Sequence, residues 1–342
     1  MRTLPATGTS PHEITDDLFV HEPVAAEVAM EVAASAADAP WKAALKRLGK
    51  NRGVVPAFVL IMVITVLAFV GPLLTPYTYD GQNVAHSNLP PKISGLGWLG
   101  FDGLDSNGVD LYAKRNITEA HWFGTDEFGR DMWTRVWKGT QISLLIALVA
   151  ALLDLFIGVL YGGISAYYGG KIDNVMQRII EVLVGIPNLI VIILFILILE
   201  PGITSIILAM TITGWVGMAR IVRGQILQLK GQEFVLAARS LGVSNSRIMF
   251  KHLIPNAMGP IIVTLMFTLP TAIFFEAFLS FIGLGLQAPL ASLGVLINDG
   301  YKGMRLFPYK LVIPAVMISL IMISFNLLAD GLRDALDPKM TK

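Results

Sequence analysis

Long runs of apolar residues dominate the chain after residue 50. Crossing a bilayer core of about 30 Å as an α-helix requires roughly 20 apolar residues, and six runs approach or exceed that length. None of them shows the strict alternation of apolar and polar positions that is typical of a barrel strand. The pattern therefore predicts an all-α membrane protein with six transmembrane helices. These are residues 54–74, 142–166, 179–199, 203–219, 261–284 and 311–328.

The segments around these runs differ in composition. Residues 1–40 contain seven acidic residues and one basic residue, which predicts a disordered tail. Residues 41–53 contain five cations among apolar positions, which suits an interfacial helix and equally a solvated basic flank. The first run lacks a small-residue cleavage site and is predicted to be retained. We divide the rest into a first transmembrane helix (54–75), an extracytoplasmic loop (76–139), a transmembrane core (140–332) with a cytoplasmic loop (220–258), and a cytoplasmic C-terminus (333–342).

The distribution of Lys and Arg predicts the orientation in the membrane. With the N-terminus in the cytoplasm, seventeen of the 26 Lys and Arg residues lie on the cytoplasmic side, as the positive-inside rule requires. Both termini are therefore predicted to be cytoplasmic.

The loop 76–139 is rich in Gly, Pro, Asn and Asp, so we expect an irregular or small folded cap there.

Composition excludes several classes of function. Only 15% of the residues are charged, against about 25% in soluble domains, and the net charge of +1 gives no basic field for nucleic acid. The chain has no cysteine, and its five histidines are too scattered for an HExxH zinc helix. No GxxxxGK[ST] sequence is present, so the chain does not itself hydrolyse ATP. We predict no catalytic residue and no metal site.

The loop between the fourth and fifth runs has the pattern of a docking element. Gly242 is suited to a left-handed residue that closes one helix, Ser244 to the cap of a second, and Pro255 to the end of that second helix. A helical knob of this kind suits a partner groove; an ordinary amphipathic loop on the membrane surface is the alternative, and the pattern by itself does not exclude it. The first helix is predicted from the spacing of Phe234, Ala237, Ala238 and Leu241.

The sequence EFVLAARSLGVSNSRIMFKHLIPN (233–256) resembles the EAA loop of permease subunits in binding-protein-dependent ABC importers, in its peptide and nickel branch. Three further stretches resemble the same branch: GTDEFGRD (124–131), EAFLSFIGLG (276–285) and NLLADGLRDALDPK (326–339). Over about residues 50–340 the chain is most similar to oligopeptide type C subunits. The resemblance implies the type I ABC importer permease fold in a bacterial cell membrane and an ATP-driven importer of oligopeptides, with dipeptides or nickel as the alternative cargo.

The resemblance also implies partners. These are a second homologous permease, two cytoplasmic ATPase subunits that bind ATP-Mg, and an extracytoplasmic peptide-binding protein. This chain would hold no cofactor, form half of the pathway and dock one ATPase through its loop. The family's glutamate position is Leu236 here, with Glu233 one turn earlier. The residues implied in ATPase coupling are Glu233, Ala237, Ala238, Gly242, Ser244, Arg247, His252 and Pro255.

Charged residues inside the predicted spans are few. An ionised carboxylate costs at least about 2.5–3.5 kcal/mol at the bilayer centre, so each must be paired, protonated or in contact with water. Glu181 follows Arg178 by three residues, which favours a local ion pair. Asp154 is predicted to face protein, because its stripe is made of small residues that let another helix approach closely. The stripe consists of Ala147, Ala151, Gly158 and Gly162.

Glu276 leaves two interpretations open. It shares a winding row with Thr268, Ala272 and Ser280, so Glu276, Thr268 and Ser280 are candidates for lining the substrate pathway. A structural hydrogen bond at the interface between permeases is the alternative.

Two other transport classes fit the sequence less well. A secondary transporter would use helices broken at prolines, but no internal repeat is detectable in six spans. A channel would need a filter such as TVGYG, which is absent. An intramembrane enzyme would need a nucleophile with a histidine in the membrane, and no histidine lies in a predicted span.

Overall fold

The computed structural model describes residues 47–49 and 51–336. The predicted acidic tail, most of the basic segment and residues 337–342 lie outside the described residues. The described part is mainly helical and contains isolated bridges but no β-strand. We number its helices α1 (Val54–Val70), α2 (Leu111–Lys114), α3 (Met132–Tyr168), α4 (Gly170–Gly185), α5 (Asn188–Leu199), α6 (Ile203–Leu229), α7 (Glu233–Ser240), α8 (Asn245–Phe281), α9 (Leu293–Lys302) and α10 (Tyr309–Leu336).

Five helices in the described part are long and apolar enough to cross a membrane. They are α1 with the 3-10 turn that extends it to Leu74, α3, α6, α8 and α10. The pair α4 and α5 adds a sixth crossing if it is counted as one broken span.

The prediction of a single helix over 179–199 is wrong, because the chain bends by 81° between α4 and α5. Pro187 lies at the break and disfavours helical backbone at Ile186 before it. Each half is too short to span a membrane on its own, since α5 has 12 residues.

The helices run between two ends of the bundle. At the first, which we call the cap end, Trp133 Nε1 of α3 donates to the carbonyl of Gly71, 2.7 Å away. At the opposite end, which we call the loop end, Lys230 Nζ donates to the carbonyl of Ala166 near the end of α3. The helices α3 and α6 are parallel, because contacts advance together along both from Asp154 at Gly214 to Gly162 at Ala219.

The predicted stripe of small residues is the surface on which α3 and α6 meet. A Cβ added to Gly158 would lie 2.6 Å from the Cβ of Met218, and one added to Gly162 would overlap the carbonyl oxygen of Ala219. Ala147 and Ala151 on the same stripe are fully buried. The prediction of a close helix neighbour along this stripe is therefore confirmed.

Residues 75–131, which we call the cap, fold against the first turns of α3 and α10. Asp131 caps α3 by accepting from the amide of Thr134, and its other oxygen lies 2.8 Å from Nδ1 of buried His121. His86 Nδ1 lies 3.0 Å from the second ring nitrogen of His121. Burial, and next the proximity of His121, lower the pKa of His86. Tyr309 of α10 donates to the carbonyl of Thr125, so the cap links distant parts of the chain.

Candidate coupling surface and membrane cavity

The first half of the loop forms the helix α7 (Glu233–Ser240), and Gly242 closes its C-terminus as the sequence predicts. Gly242 has φ of +73°. Its amide donates to the carbonyl of Arg239, and the amide of Val243 donates to the carbonyl of Ala238. These two bonds are the Schellman pattern, in which a left-handed residue satisfies the last carbonyls of a helix. The glycine elbow is therefore present.

The second half of the loop differs from the prediction. Ser244 occupies the position before the next helix, but its side chain makes no capping hydrogen bond. Pro255 does not end that helix, which continues as α8 from Asn245 to Phe281. A π-helical turn over Ile248–Leu253 precedes Pro255. The change of hydrogen-bond register in a π-helical turn accommodates a residue without an N–H, so the proline is tolerated there.

The loop has one buried face and one exposed face. Val235 and Ala238 pack against a cluster formed by the ends of α3, α6 and α8. On the outer face, Leu241 is 84% exposed and no atom lies within 4 Å of a Cβ built on Gly242. Of the residues implied in coupling, Ala238 is buried and His252 is half-buried. The exposed ones are Glu233, Ala237, Gly242, Ser244, Arg247 and Pro255.

Polar contacts hold the loop to the transmembrane helices. Tyr167 donates to Oδ1 of Asn245 at 2.7 Å, and the guanidinium of Arg239 lies 5.4 Å from the centre of the Tyr167 ring. Arg223 of α6 also makes two hydrogen bonds, of 2.7 and 2.6 Å, with Asp173 of α4. These contacts tie the loop to α3, and they tie α6 to α4.

A cavity of about 360 Å³ lies within the membrane-spanning part of the bundle. Asp154 forms part of its wall from α3. It is 6% exposed, and its Oδ1 is buried without a hydrogen bond. Gly214 allows α6 to pass beside this carboxylate, because any Cβ there would overlap Oδ2. The other lining residues are Asn188, Ile192, Met210, Thr213, Thr264, Phe267, Thr268, Thr271, Ala272 and Phe275.

Glu276 lies outside this cavity, in a closed cluster nearer the cap end. It is fully buried, and its two carboxylate oxygens accept from Ser143 and Ser280, each at 2.8 Å. Ser143 also accepts from the amide of Leu293 at the start of α9. These contacts lie within one chain, and they favour a structural role for Glu276.

The structure separates the three residues predicted to line the pathway. Thr268 faces the cavity, whereas Glu276 and Ser280 belong to the closed cluster. The predicted pair of Glu181 and Arg178 is confirmed, with 2.6 Å between Oε2 and Nη1. Sequence reasoning missed Asn188 and Thr213, which bond to each other across α5 and α6. The only signal in the sequence was that each of these two residues is polar and lies within an apolar run.

Comparisons with known proteins identify related chains. A family described as "Binding-protein-dependent transport system inner membrane component" matches residues 155–342. A second family, "N-terminal TM domain of oligopeptide transport permease C", matches residues 39–91.

Two relatives come from Bacillus subtilis (strain 168). The chain is 45% identical over 302 residues to an oligopeptide transport system permease protein, OppC, with 88% of this chain and 90% of the relative covered. It is 47% identical over 300 residues to a dipeptide transport system permease protein, DppC, with 87% and 86% covered. An inward-facing structure of the MetNI methionine ABC transporter aligns with a TM-score of 0.49 at 20% identity, over 59% of this chain and 96% of that chain.

Proposed function

The chain belongs to the family of binding-protein-dependent transport system inner membrane components, and on that premise we propose that its cargo is oligopeptides. As a permease subunit of the ABC transporter type, the chain is not an enzyme, and ATP hydrolysis belongs to a partner ATPase. The observation that carries the proposal is the identity of 45% to an oligopeptide permease over 88% of the chain. Dipeptides are the second candidate cargo, favoured by the identity of 47% to a dipeptide permease.

We propose six membrane crossings with both described ends on one side. The parallel course of α3 and α6 supports this, because the chain between them must return from the loop end to the cap end. At the loop end, a Cβ on Gly331 of α10 would overlap Val54, which begins α1. The segment α4–α5 is then a broken crossing rather than a re-entrant loop. The excess of Lys and Arg supports a cytoplasmic loop end.

We propose that the loop 220–258 docks a cytoplasmic ATPase subunit through the exposed face around Gly242. Apolar side chains at an exposed helix end suit a groove in another protein. Leu236, Leu241 and Phe250 supply that apolar surface and are 50%, 84% and 57% exposed. The polar groups would form the rim, in the roles implied for Glu233, Ser244 and Arg247.

The proposed importer also contains a second homologous permease and an extracytoplasmic peptide-binding protein. The cap would lie on the side of the binding protein. Each permease would contribute half of the pathway, and the cavity beside Asp154 would be this chain's share of it, with Thr268 in its wall. ATP-Mg would be bound by two ATPase subunits.

Reconstitution of the complete importer tests this function. Proteoliposomes that contain both permeases and both ATPases should accumulate tri-alanine when the peptide-loaded binding protein and ATP are supplied. Parallel assays with di-alanine and with nickel decide the cargo. Accumulation of di-alanine alone would replace oligopeptides by dipeptides, and accumulation of nickel alone would overturn the peptide assignment. Uptake that disappears when an ion gradient is collapsed, with ATP still present, would instead indicate a secondary transporter.

A further inference from the structure

We infer that the cavity beside Asp154 is a transit site for the positively charged amino group of the peptide, with the Asp154 carboxylate as its counter-ion. The inference rests on the proposed peptide transport. It goes further, because it states which end of the peptide this chain recognises.

Asp154 lacks the partner that a buried carboxylate needs. A buried polar group without a hydrogen bond costs about 1–3 kcal/mol, and more if it is charged. Within the described residues no side chain donates to Asp154, and no Lys, Arg or His lies within 4 Å of it. Glu276 shows the contrast, because both of its oxygens accept from serines. Asp154 lines the cavity, so a cation bound there would lie beside a carboxylate that no side chain of the described residues compensates.

The threonines that line the cavity with Asp154 present hydrogen-bond acceptors. The hydroxyls of Thr264, Thr268 and Thr271 donate to carbonyls of their own helix at 2.8, 3.0 and 2.9 Å. Each hydroxyl has one hydrogen and two lone pairs, so the donor is consumed and lone pairs remain. Thr213 likewise donates to Oδ1 of Asn188. Among the described lining side chains, the amide nitrogen of Asn188 is the remaining donor.

An acceptor-rich site with one carboxylate selects a particular end of a peptide. A terminal ammonium carries one positive charge and three N–H donors, which matches a carboxylate and nearby hydroxyl oxygens. The C-terminal carboxylate would be repelled by Asp154 and would find few donors. Apolar side chains at Ile192, Met210 and Phe275 complete the wall, and the volume of about 360 Å³ lies in the range of small-ligand sites.

A thiol-protection assay on the assembled importer tests the site. The chain has no cysteine, so Thr268→Cys gives it one thiol in the cavity wall. The rate of maleimide labelling of this chain is measured after separation of the subunits. We expect tri-alanine to slow labelling at a concentration at least about tenfold lower than N-acetyl-tri-alanine, a difference equal to about 1.4 kcal/mol.

Two further substitutions test whether the charge of Asp154 causes the preference for the free amine. Asp154→Asn removes the charge and should abolish the preference for the free amine. Glu181→Gln is the matched control, because it also removes one carboxylate, from an exposed pair outside the cavity, and it should keep the preference. If Asp154→Asn prevents assembly, Thr271→Val keeps the side-chain volume while removing one acceptor. It should weaken protection by tri-alanine and leave protection by the acetylated peptide unchanged.

The outcomes separate this inference from the proposed function. Equal protection by both peptides, or a preference that survives in Asp154→Asn, would overturn the inference while tri-alanine accumulation kept the function. An unchanged Thr271→Val variant would do the same when Asp154→Asn does not assemble. Protection by sodium chloride without peptide would assign the site to an inorganic cation. A wild-type importer that accumulates no peptide would overturn the function itself.

Discussion

Replacing Gly162 by alanine should force apart α3 and α6 where their backbones approach closely. The new methyl would overlap the carbonyl oxygen of Ala219 and lie 3.0 Å from two further backbone atoms of α6. Carbon atoms pack best at about 3.5–4.0 Å, so α6 must retreat by roughly 0.5–1 Å. Overpacking costs about 1–3 kcal/mol. Alanine regains about 0.5–1 kcal/mol of helix propensity over glycine, so the net loss of stability is up to about 2.5 kcal/mol.

Gly224 on α6 provides the matched control, because no atom lies within 4 Å of a Cβ built there. Gly224→Ala should therefore gain stability by about 0.5–1 kcal/mol. The free energy of unfolding would be measured for both variants by titrating the purified protein from a mild detergent into sodium dodecyl sulfate. A difference between them below about 0.5 kcal/mol would refute the packing argument, since the two substitutions differ only in what the methyl meets.

Three further predictions concern the loop, the orientation and the buried glutamate. Gly242→Val should abolish ATP-driven uptake and weaken ATPase co-purification, because a β-branched residue disfavours the left-handed backbone at φ of +73°; normal transport would contradict the elbow argument. In intact cells, a cysteine at Ser106 should react with an impermeant maleimide and one at Ser244 should not, and the reverse pattern would invert the orientation. Glu276→Ala should lower the unfolding free energy by about 2–5 kcal/mol, and Glu276→Gln by less, because the amide still accepts one serine hydrogen bond. A Glu276→Gln complex of unchanged stability with altered peptide preference would restore the pathway role.

The approximate positions of five membrane helices follow from the sequence because the bilayer imposes their length and polarity. The glycine elbow follows for a similar local reason, since few residues other than glycine close a helix in the left-handed conformation. The bend at Pro187, in contrast, could not be predicted from the sequence. Pro260 and Pro270 lie inside α8 without breaking it, and only tertiary contacts decide which proline ends a helix.

The cavity could be predicted only in part. The small residues on α3 indicated that Asp154 faces protein, because their spacing is local. Nothing local indicated that α5 and α8 would bring Asn188 and Thr268 to the same cavity, since those contacts join segments far apart in sequence. The sequence GTDEFGRD served as a sign of family resemblance. Its physical role, in which Asp126 accepts from the amides of Phe128 and Arg130, required the folded cap.

Because α8 is continuous from Asn245 to Phe281, a movement at its loop end also moves the cavity wall. This one helix joins the exposed loop, the cavity wall and the closed serine and glutamate cluster, and its regular α-helical hydrogen bonding is interrupted at the π-helical turn Ile248–Leu253. From Leu253 to Thr268 the helix is about 22 Å long at 1.5 Å per residue, so a tilt of about 10° moves the cavity wall by about 4 Å. In the proposed importer, a displacement of the loop by the ATPase would therefore reach the cavity wall as sideways motion about the π-helical turn.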